Sequence, residues 1–367
     1  MKKKRIMYLV ANLKKCGPIN VLYNIVKFIN KQIYDVYIVS LSPEGENSME
    51  IKFKELNCKI YNLNLNRVSS IFYGVEKVSK LIIENDIDII HSHGLRADIV
   101  NSKIKICRTI STLHNYPFDD YSMSYGKFIG YLIAKYHVRV LKKIDLVCAC
   151  SKSVKLQMEL RGIKTEYIKN GVDNNIFKPI AKYEKDKLRE KLKLNKNDKI
   201  FIVVGVLRLL KNPYLIIDYF NSKNFSNEKL IFIGDGDLYK NCVARANENP
   251  NIIFIGKVDN VYEYLQVSDY YISASLSEGL PNSVLEAMST GLPCILSNIP
   301  SHRELIYNKQ QLFSPKSEEE LAKAIQNVLQ SDYQYLSNEA RLIIENDLTT
   351  EKMTQNYESV YEKSFYN

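Results

Sequence analysis

The sequence predicts an α/β fold with two doubly wound parallel sheets, and two patterns indicate it. Short apolar runs alternate with helical patterns along the chain, which is typical of parallel sheets covered by helices. The alternation restarts near Lys199, after the polar and charged segment Lys178–Lys199, in which we expect a helix. A length of 367 residues suits two ordinary domains.

The first half of the chain holds seven apolar runs that we predict to be strands. Helical patterns separate them, for example at Ile19–Lys31 and Ile71–Asn85. Because neighbouring parallel strands need a crossover connection, this alternation predicts one parallel sheet. The predicted strands are Ile6–Val10, Val36–Leu41, Lys59–Leu63, Ile87–His91, Thr109–His114, Leu146–Ala149 and Glu166–Ile168.

The second half of the chain predicts another sheet of the same kind. A helix is expected at Pro213–Asn221, and the chain ends in a helical pattern, Thr349–Phe365, with Tyr357 and Tyr361 on one face. Ligands of doubly wound sheets bind beyond the carboxyl ends of the strands. The predicted strands of this half are Ile200–Val206, Leu230–Gly234, Ile252–Ile255, Tyr270–Ala274 and Pro293–Ser297.

The composition is that of a soluble globular protein, with 46% hydrophobic and 25% charged residues. No apolar run is long enough to cross a bilayer. The basic N-terminus precedes only a short apolar run without a small-residue cleavage site, so we interpret Ile6–Val10 as a buried strand. Seven cysteines without a Cys-x-x-Cys pair predict reduced, structural thiols and a cytoplasmic protein.

Residues 121–145 form a basic, aromatic segment that we predict to be a surface helix. The chain has a net charge of +10, and this segment holds a single acid, Asp145. Such a helix suits an anionic membrane face; a solvated helix with a buried aromatic stripe explains the pattern equally well. No RNA-binding or helix-turn-helix motif occurs, so no nucleic-acid partner is expected. The cations are Lys127, Lys135, Arg139, Lys142 and Lys143, and the aromatic and apolar residues are Tyr121, Tyr125, Phe128, Tyr131, Leu132 and Tyr136.

The sequence predicts neither a metal site nor a cofactor. The five histidines do not follow a zinc-binding spacing. His91 and His93 have only Asp88 as a nearby acid, and they close a predicted strand. The Asp-x-Asp spacing occurs once at the start of a buried strand and once in a glycine loop, at Asp86/Asp88 and Asp235/Asp237.

The segment Ser275–Pro293 is the most informative part of the chain. A predicted strand runs into a Gly/Pro/Asn turn, and a helical pattern begins after the turn. This arrangement offers backbone N–H groups and the positive end of a helix dipole, which together bind phosphate. Two carboxylates, Glu278 and Glu286, lie eight positions apart across the turn. We expect one carboxylate to accept a hydrogen bond from a sugar hydroxyl and the other to accept one from a ribose hydroxyl.

This segment resembles the Glu-x7-Glu signature of the retaining glycosyltransferases of family 4, which have the two-domain GT-B fold. Further blocks resemble the family in the same order along the chain. They are Cys16-Gly17, Ser111-Thr-Leu-His114, Asn170-Gly-Val-Asp173, Gly205 with Arg208 and Lys211, Gly234-Asp-Gly236, and Gly256-Lys-Val258. The family usually has a second glycine where Cys16 stands, and the alignment of Arg208 with the family's arginine is open.

The resemblance implies two Rossmann-like domains that face a cleft. The N-terminal domain, residues 1–168, would bind the acceptor, and a last helix, residues 350–367, would return to it. The second domain, residues 169–349, would bind the nucleotide sugar.

The resemblance also implies roles for individual residues. Glu278 would orient the sugar ring, His114 would contact the sugar, and Lys211 would stabilise the diphosphate, so these three are the predicted catalytic residues. The predicted substrate-binding residues are Gly17, Gly205, Arg208, Val258, Gly279, Leu280, Pro281, Asn282, Ser283 and Glu286.

The predicted function is a retaining, metal-independent transfer of a sugar from a nucleotide-diphosphate sugar, with a UDP-sugar favoured. The acceptor would be a glycan or lipid-linked glycan in bacterial capsule, O-antigen or lipopolysaccharide assembly. The protein would be cytoplasmic and peripheral on the anionic inner face of the membrane. Two alternatives stay open, a non-catalytic partner subunit of the same fold and a non-hydrolysing nucleotide-sugar epimerase. The sequence leaves the sugar, the base, the acceptor and the oligomeric state open.

Overall fold

The computed structural model describes residues 2–223 and 225–366. The chain forms two compact units, an N-terminal unit of Met1–Gly171 and Thr350–Asn367 and a C-terminal unit of Val172–Thr349. The division follows Gly171 instead of residue 168. The backbone N–H of Gly171 donates to the sulfur of Met353 at 3.1 Å, which ties this segment to the N-terminal unit.

The N-terminal unit is built on a parallel sheet of seven strands within the described residues. Its order is β3-β2-β1-β4-β5-β6-β7, so β2 and β3 are added on one side of β1, and β4 to β7 are added on the other side. The carboxyl ends of these two strands form a topological switch point, where doubly wound sheets bind ligands. The strands are β1 Lys4–Val10, β2 Tyr34–Ser40, β3 Lys59–Asn62, β4 Ile89–His93, β5 Arg108–Leu113, β6 Leu146–Ala149 and β7 Thr165–Tyr167.

Helices cover this sheet, and the last helix of the chain is one of them. Tyr357 and Tyr361 of that helix are fully buried, and the Tyr361 hydroxyl lies 3.0 Å from the Tyr8 hydroxyl and 2.8 Å from His91 Nδ1. The predicted return of the last helix is therefore confirmed. The helices are α1 Gly17–Phe28, α2 Glu50–Glu55, α3 Ser69–Glu84, α4 Leu95–Asn101, α5 Pro117–Tyr125, α6 Lys127–Leu141, α7 Lys152–Glu159 and α16 Thr350–Tyr366.

The C-terminal unit repeats the same architecture. Its sheet has the order β10-β9-β8-β11-β12-β13, with the switch point between β8 and β11. The predicted α/β fold with two parallel sheets is confirmed. The strands are β8 Lys199–Val204, β9 Glu228–Ile233, β10 Ile252–Gly256, β11 Tyr270–Ser273, β12 Cys294–Ser297 and β13 Leu312–Phe313.

The helices of the C-terminal unit include two short 3-10 turns, Leu209–Lys211 and Lys309–Gln311. Among the helices of the described residues, none is both long and apolar enough to span a bilayer. The α-helices are α8 Lys182–Lys191, α9 Pro213–Asn221, α10 Tyr239–Arg245, α11 Val261–Val267, α12 Asn282–Ser289, α13 Pro300–Arg303, α14 Glu318–Gln330 and α15 Tyr333–Asp347.

Helix α6 shows that the buried aromatic stripe is a wrong interpretation of the basic segment. Phe128 is 76% exposed, and Tyr131 and Tyr136 are close to half exposed. The buried positions of the helix are occupied by smaller or polar residues instead. They are Gly130, Ala134, His137, Val138, Val140 and Leu141.

Candidate functional site

The loops after β8 and β11 lie side by side at the switch point of the C-terminal unit, because these strands are paired in parallel. The first loop holds Gly205 and Lys211, and the second runs from Ser275 to Pro281. The Leu276 N–H donates to the Leu210 carbonyl at 2.8 Å and fastens one loop to the other. The predicted donor-site residues Gly205, Lys211 and Glu278 are thereby brought to one edge of the sheet.

Glu278 and Lys211 form an ion pair at this edge. The Lys211 ammonium donates to Glu278 Oε1 at 2.5 Å, and the Ser275 hydroxyl donates to the same oxygen at 2.8 Å. The Glu278 side chain is only 9% exposed. Burial by itself raises the pKa of Glu278, but Lys211 and Ser275 outweigh it and hold that pKa below its ordinary value. Glu278 is therefore an ionised, cation-paired carboxylate at neutral pH.

Glycine backbones let the loop after β9 touch the loop that leads to Lys211. Gly234 has a φ of +134°, and a Cβ there would lie 2.0 Å from the Gly205 carbonyl oxygen. Gly236 has a φ of +154°, and its Cβ would lie 2.5 Å from the Leu207 carbonyl oxygen. Only glycine permits such an approach together with positive φ. These contacts fix the course of the backbone just before Lys211.

Arg208 is the N-cap residue of the 3-10 turn Leu209–Lys211. The residue is half-buried, and its Nε atom is buried without a hydrogen-bond partner among the described residues. A buried donor without a partner is costly, so it marks a group available to an acceptor. Arg208 therefore has a donor left over for an anion.

Helix α12 begins after the glutamate-bearing loop. Leu280 and Pro281 are buried and anchor the loop, while the Tyr271 hydroxyl donates to Ser283 Oγ at 2.9 Å. Glu286 is half-buried on the second turn of the helix. Gly279 and Asn282 complete the predicted set in the loop and at the first helical position.

Val258 lies farther along the sheet, after the edge strand β10 and two strands from β8. It is half-buried. The Gly234 N–H donates to the Gly256 carbonyl at 2.8 Å, which links the loops after β9 and β10. Val258 therefore lies at the same carboxyl ends of the strands as the Lys211–Glu278 ion pair, but it does not adjoin that pair.

His302 joins this site although no sequence motif indicated it. It is fully buried on α13, and its Nδ1 atom lies 2.9 Å from the Ser297 carbonyl oxygen. Ser297 Oγ donates to the Ser275 carbonyl at 2.6 Å, which connects the histidine to the loop that holds Glu278. Burial lowers the pKa of His302 to about 4, against the opposing charge of Glu278. The side chain is therefore neutral near pH 7.

The N-terminal unit has a cavity of about 250 Å³ at its own switch point. Asn12 and Cys16 from the loop after β1, His93 at the end of β4 and His114 after β5 line it. Gly17, the first residue of α1, is exposed, and a Cβ there would meet no atom within 4 Å. Local packing therefore does not require glycine at position 17, and its role near a phosphate stays a prediction.

His114 is paired with His93 in this cavity. Its Nε2 atom lies 2.8 Å from His93 Nδ1, and the two rings are stacked with centroids 5.1 Å apart. Burial lowers the pKa of His114 to about 4, opposed by Asp98, and burial also holds the pKa of His93 well below its ordinary value. Both imidazoles are therefore neutral near pH 7, so they act as hydrogen-bond groups without charge.

The described residues, 2–223 and 225–366, contain no group of three or more His, Cys, Asp or Glu side chains that could hold a metal ion. In each of the two Asp-x-Asp spacings at least one aspartate has a protein partner. Asp88 accepts from the Arg5 N–H at 2.7 Å, and Asp235 accepts from the Gly236 N–H at 2.7 Å. Asp88 thereby links the start of β4 to β1, and Asp235 supports the local turn of its own glycine loop.

Two family models match the chain. Residues 17–175 match the model described as Glycosyltransferase Family 4, and residues 184–346 match the model described as Glycosyl transferases group 1. The O-antigen biosynthesis glycosyltransferase WclY of Escherichia coli is 26% identical, over 98% of this chain and 99% of that protein. The Escherichia coli UDP-Gal:alpha-D-GlcNAc-diphosphoundecaprenol alpha-1,3-galactosyltransferase is 28% identical, over 63% of this chain and 62% of that protein.

A solved structure shows the same fold. The crystal structure of Anabaena Alr3699/HepE in complex with UDP and glucose superposes with a TM-score of 0.83 at 18% identity, over 98% of this chain and 100% of that chain. The fold likeness spans both units, and the two family models match most of each unit. The chain therefore belongs to the GT-B glycosyltransferases of family 4.

Proposed function

We propose that this glycosyltransferase moves a sugar from a UDP-sugar to a lipid-linked glycan, with retention of the anomeric configuration. The observation that supports a donor site most directly is the Lys211–Glu278 pair at the switch point of the C-terminal unit. The structural relative with UDP and glucose bound, and the relative named for UDP-Gal, favour a UDP-sugar donor. WclY, which is named for O-antigen biosynthesis, favours a product of that kind. The other Escherichia coli relative is named for a diphosphoundecaprenol-linked acceptor, which favours a lipid-linked acceptor here.

The proposed chemistry depends on charge stabilisation of the leaving diphosphate. An ammonium group has three N–H donors, so Lys211 keeps its bond to Glu278 while it donates to a phosphate oxygen. Arg208 and the backbone N–H groups around Gly279–Ser283, where proline at position 281 has none, add further donors. Such donors lower the barrier most when they are already in place before bond cleavage. This set supplies the positive charge that a divalent cation supplies in other transferases, so we propose metal-independent transfer.

The carboxylates have separate proposed tasks. Lys211 and Ser275 both bind Oε1 of Glu278, so Oε2 keeps lone pairs for a sugar hydroxyl. Glu286, on the second turn of α12, accepts from the ribose hydroxyls. His114 is the proposed third contact of the transferred sugar, through a neutral imidazole.

The experiment combines the purified protein, a UDP-sugar panel and the lipid-linked glycans extracted from the cells that naturally make it. We expect one UDP-sugar to be consumed. The anomeric configuration of the transferred sugar, measured by NMR, should be the same in the product as in the donor. Added EDTA should leave the rate unchanged, and Glu278→Ala should lower turnover. An epimerised free nucleotide sugar would establish the epimerase instead. No reaction with any donor would favour the non-catalytic partner subunit.

We also propose that α6 docks on an anionic membrane face. Phe128, Ile129 and Leu132 are 76%, 57% and 50% exposed, and the exposed Lys127 and Lys135 belong to the same helix. Apolar side chains bordered by lysines match the headgroup region of an acidic bilayer.

Sedimentation with vesicles tests this docking. The wild type should bind phosphatidylglycerol vesicles at low salt more than phosphatidylcholine vesicles, and the double variant Phe128→Ser/Ile129→Ser should lose most of that binding. Leu160→Ser, which changes an apolar residue that is 86% exposed outside this helix, is the control. Equal binding of the double variant and the wild type would rule out α6 as the docking element.

A further inference from the structure

A buried chain of side chains leads to the cavity of the N-terminal unit. It begins at Asp98, which is fully buried on α4. Asp98 accepts hydrogen bonds from the Ser92 hydroxyl at 2.6 Å and from the Ser111 hydroxyl at 2.7 Å. Its other oxygen lies 2.8 Å from Nε2 of His137. Three partners hold this carboxylate in one orientation.

His137 connects Asp98 to the cavity wall. It is only 2% exposed on α6, and its Nδ1 atom lies 2.9 Å from the Tyr121 hydroxyl. Tyr121 and His137 both line the cavity, together with His93 and His114. The chain Asp98–His137–Tyr121 therefore ends on a surface that a ligand can reach.

The packing of α5 on α6 fixes this arrangement. A Cβ on Gly130 would lie 2.3 Å from the Tyr121 carbonyl oxygen and 2.4 Å from the Ser122 Cα. Glycine at this position lets the α5 backbone rest directly on α6. His137 follows seven residues later, about two helical turns along the same face of α6, where it meets the Tyr121 side chain.

The chemistry of the three groups sets the direction of their hydrogen bonds. An ionised carboxylate only accepts, so the proton between Asp98 and His137 lies on Nε2. In the neutral imidazole Nδ1 is then an acceptor, and the Tyr121 hydroxyl donates to it. With its proton committed to His137, the Tyr121 oxygen has lone pairs left to accept a hydrogen bond from a ligand.

A second observation is a polar atom in the cavity wall that has no hydrogen-bond partner among the described residues. His93 is 5% exposed, lines the cavity and has an Nε2 atom that is buried without a partner in the described part of the chain. A buried polar atom without a partner is costly and is commonly satisfied by a ligand or water. The cavity therefore suits a ligand rich in hydroxyl groups.

We propose that Tyr121 accepts a hydrogen bond from a hydroxyl group of the sugar acceptor in this cavity, and that His137 and Asp98 are positioning residues that hold Tyr121 in this role. The proposal rests on the proposed transferase function. Burial raises the pKa of Tyr121, reinforced by Asp98 and Asp120, so the phenol keeps its proton and orients the acceptor without deprotonating it.

Histidine NMR tests the hydrogen-bond direction without any substrate. The chain has five histidines, so protein labelled with 15N-histidine gives few signals. The signal that is missing from the spectrum of His137→Gln is the signal of His137. We expect the proton of His137 to lie on Nε2, toward Asp98, and Nδ1 to carry none. A proton on Nδ1, either alone or in an imidazolium, would overturn the proposal, because the Tyr121 hydroxyl would then be free to donate to a ligand.

Kinetics with the extracted lipid-linked glycans tests the contact itself. Tyr121→Phe removes one hydrogen bond and keeps the ring, so we expect the acceptor KM to rise about three- to tenfold. Tyr73→Phe, which removes an exposed hydroxyl on α3, is the matched control.

The outcomes separate the two proposals. A wild type that transfers sugar, with the same acceptor KM in Tyr121→Phe, contradicts the role of Tyr121 and leaves the transferase function intact. A wild type that neither transfers nor hydrolyses any nucleotide sugar contradicts the transferase function and removes the basis for this inference too.

Discussion

At the level of single residues, the proposed donor site depends on the Lys211–Glu278 pair. Glu278 is nearly buried, and Lys211 is the cation that keeps its carboxylate ionised. Lys211→Ala should weaken UDP binding by about 1.5–3 kcal/mol, the usual contribution of a charge-assisted hydrogen bond. Isothermal titration of UDP against the two proteins measures this difference.

Lys323→Ala provides the control for that titration. Lys323 is an exposed lysine on α14 of the same unit, and its removal should leave the UDP affinity unchanged. If Lys211→Ala bound UDP as tightly as the wild type does, Lys211 would have no place in the donor site.

His302 makes stability depend on pH in a predictable direction. Its pKa falls from the ordinary value of 6.5 to about 4 in the fold, so between these values the unfolded chain binds more protons than the folded one. Stability is then complete above pH 6.5 and is lost as pH falls toward 4, by up to about 1.4 kcal/mol per pH unit. Urea unfolding at pH 7 and pH 5 should show a smaller loss in His302→Gln than in the wild type. Equal losses would show that His302 titrates normally.

Among the helices, the α5–α6 pair depends on one glycine. A methyl group on Gly130 would meet backbone atoms of Tyr121 and Ser122 well inside contact distance. Gly130→Ala should therefore lower the free energy of unfolding by about 1–3 kcal/mol, as overpacking does. Urea unfolding measures it, with Gly45→Ala as the control, because a Cβ at Gly45 meets no atom within 4 Å. Unchanged stability of Gly130→Ala would mean that the two helices separate at little cost.

The regular elements were predictable where apolar periodicity is strong, and less so elsewhere. The strand β6, Leu146–Ala149, and the helix α9, Pro213–Asn221, begin and end at the predicted residues. Strand β13 has only two residues, which is too short for an alternation to show in the sequence. The sequence left two interpretations of α6 open, because its aromatic residues could be buried or exposed; in the fold they are exposed, and smaller or polar residues such as Gly130 and Ala134 occupy the buried face.

For the molecule as a whole, the family motifs predicted the fold and one part of the site. The ordered blocks around Gly205, Lys211 and Glu278 indicated a GT-B glycosyltransferase, and these residues do meet at one sheet edge. His302 and His137 were not predicted, because each is an isolated histidine whose partners lie far away in sequence or on another element. Only the folded packing brings His137 to Asp98, 39 positions away.

A thermal-shift panel of UDP-, GDP-, ADP- and CMP-sugars, run on the wild type and on Glu286→Ala, tests the proposed donor site most directly. Ligand at about a hundredfold excess over its dissociation constant stabilises a protein by about 2.7 kcal/mol, which gives a clear shift. We expect UDP-sugars to stabilise the wild type and to lose most of this effect in Glu286→Ala. Stabilisation by another nucleotide class alone, or an equal shift in the variant, would contradict the proposed site.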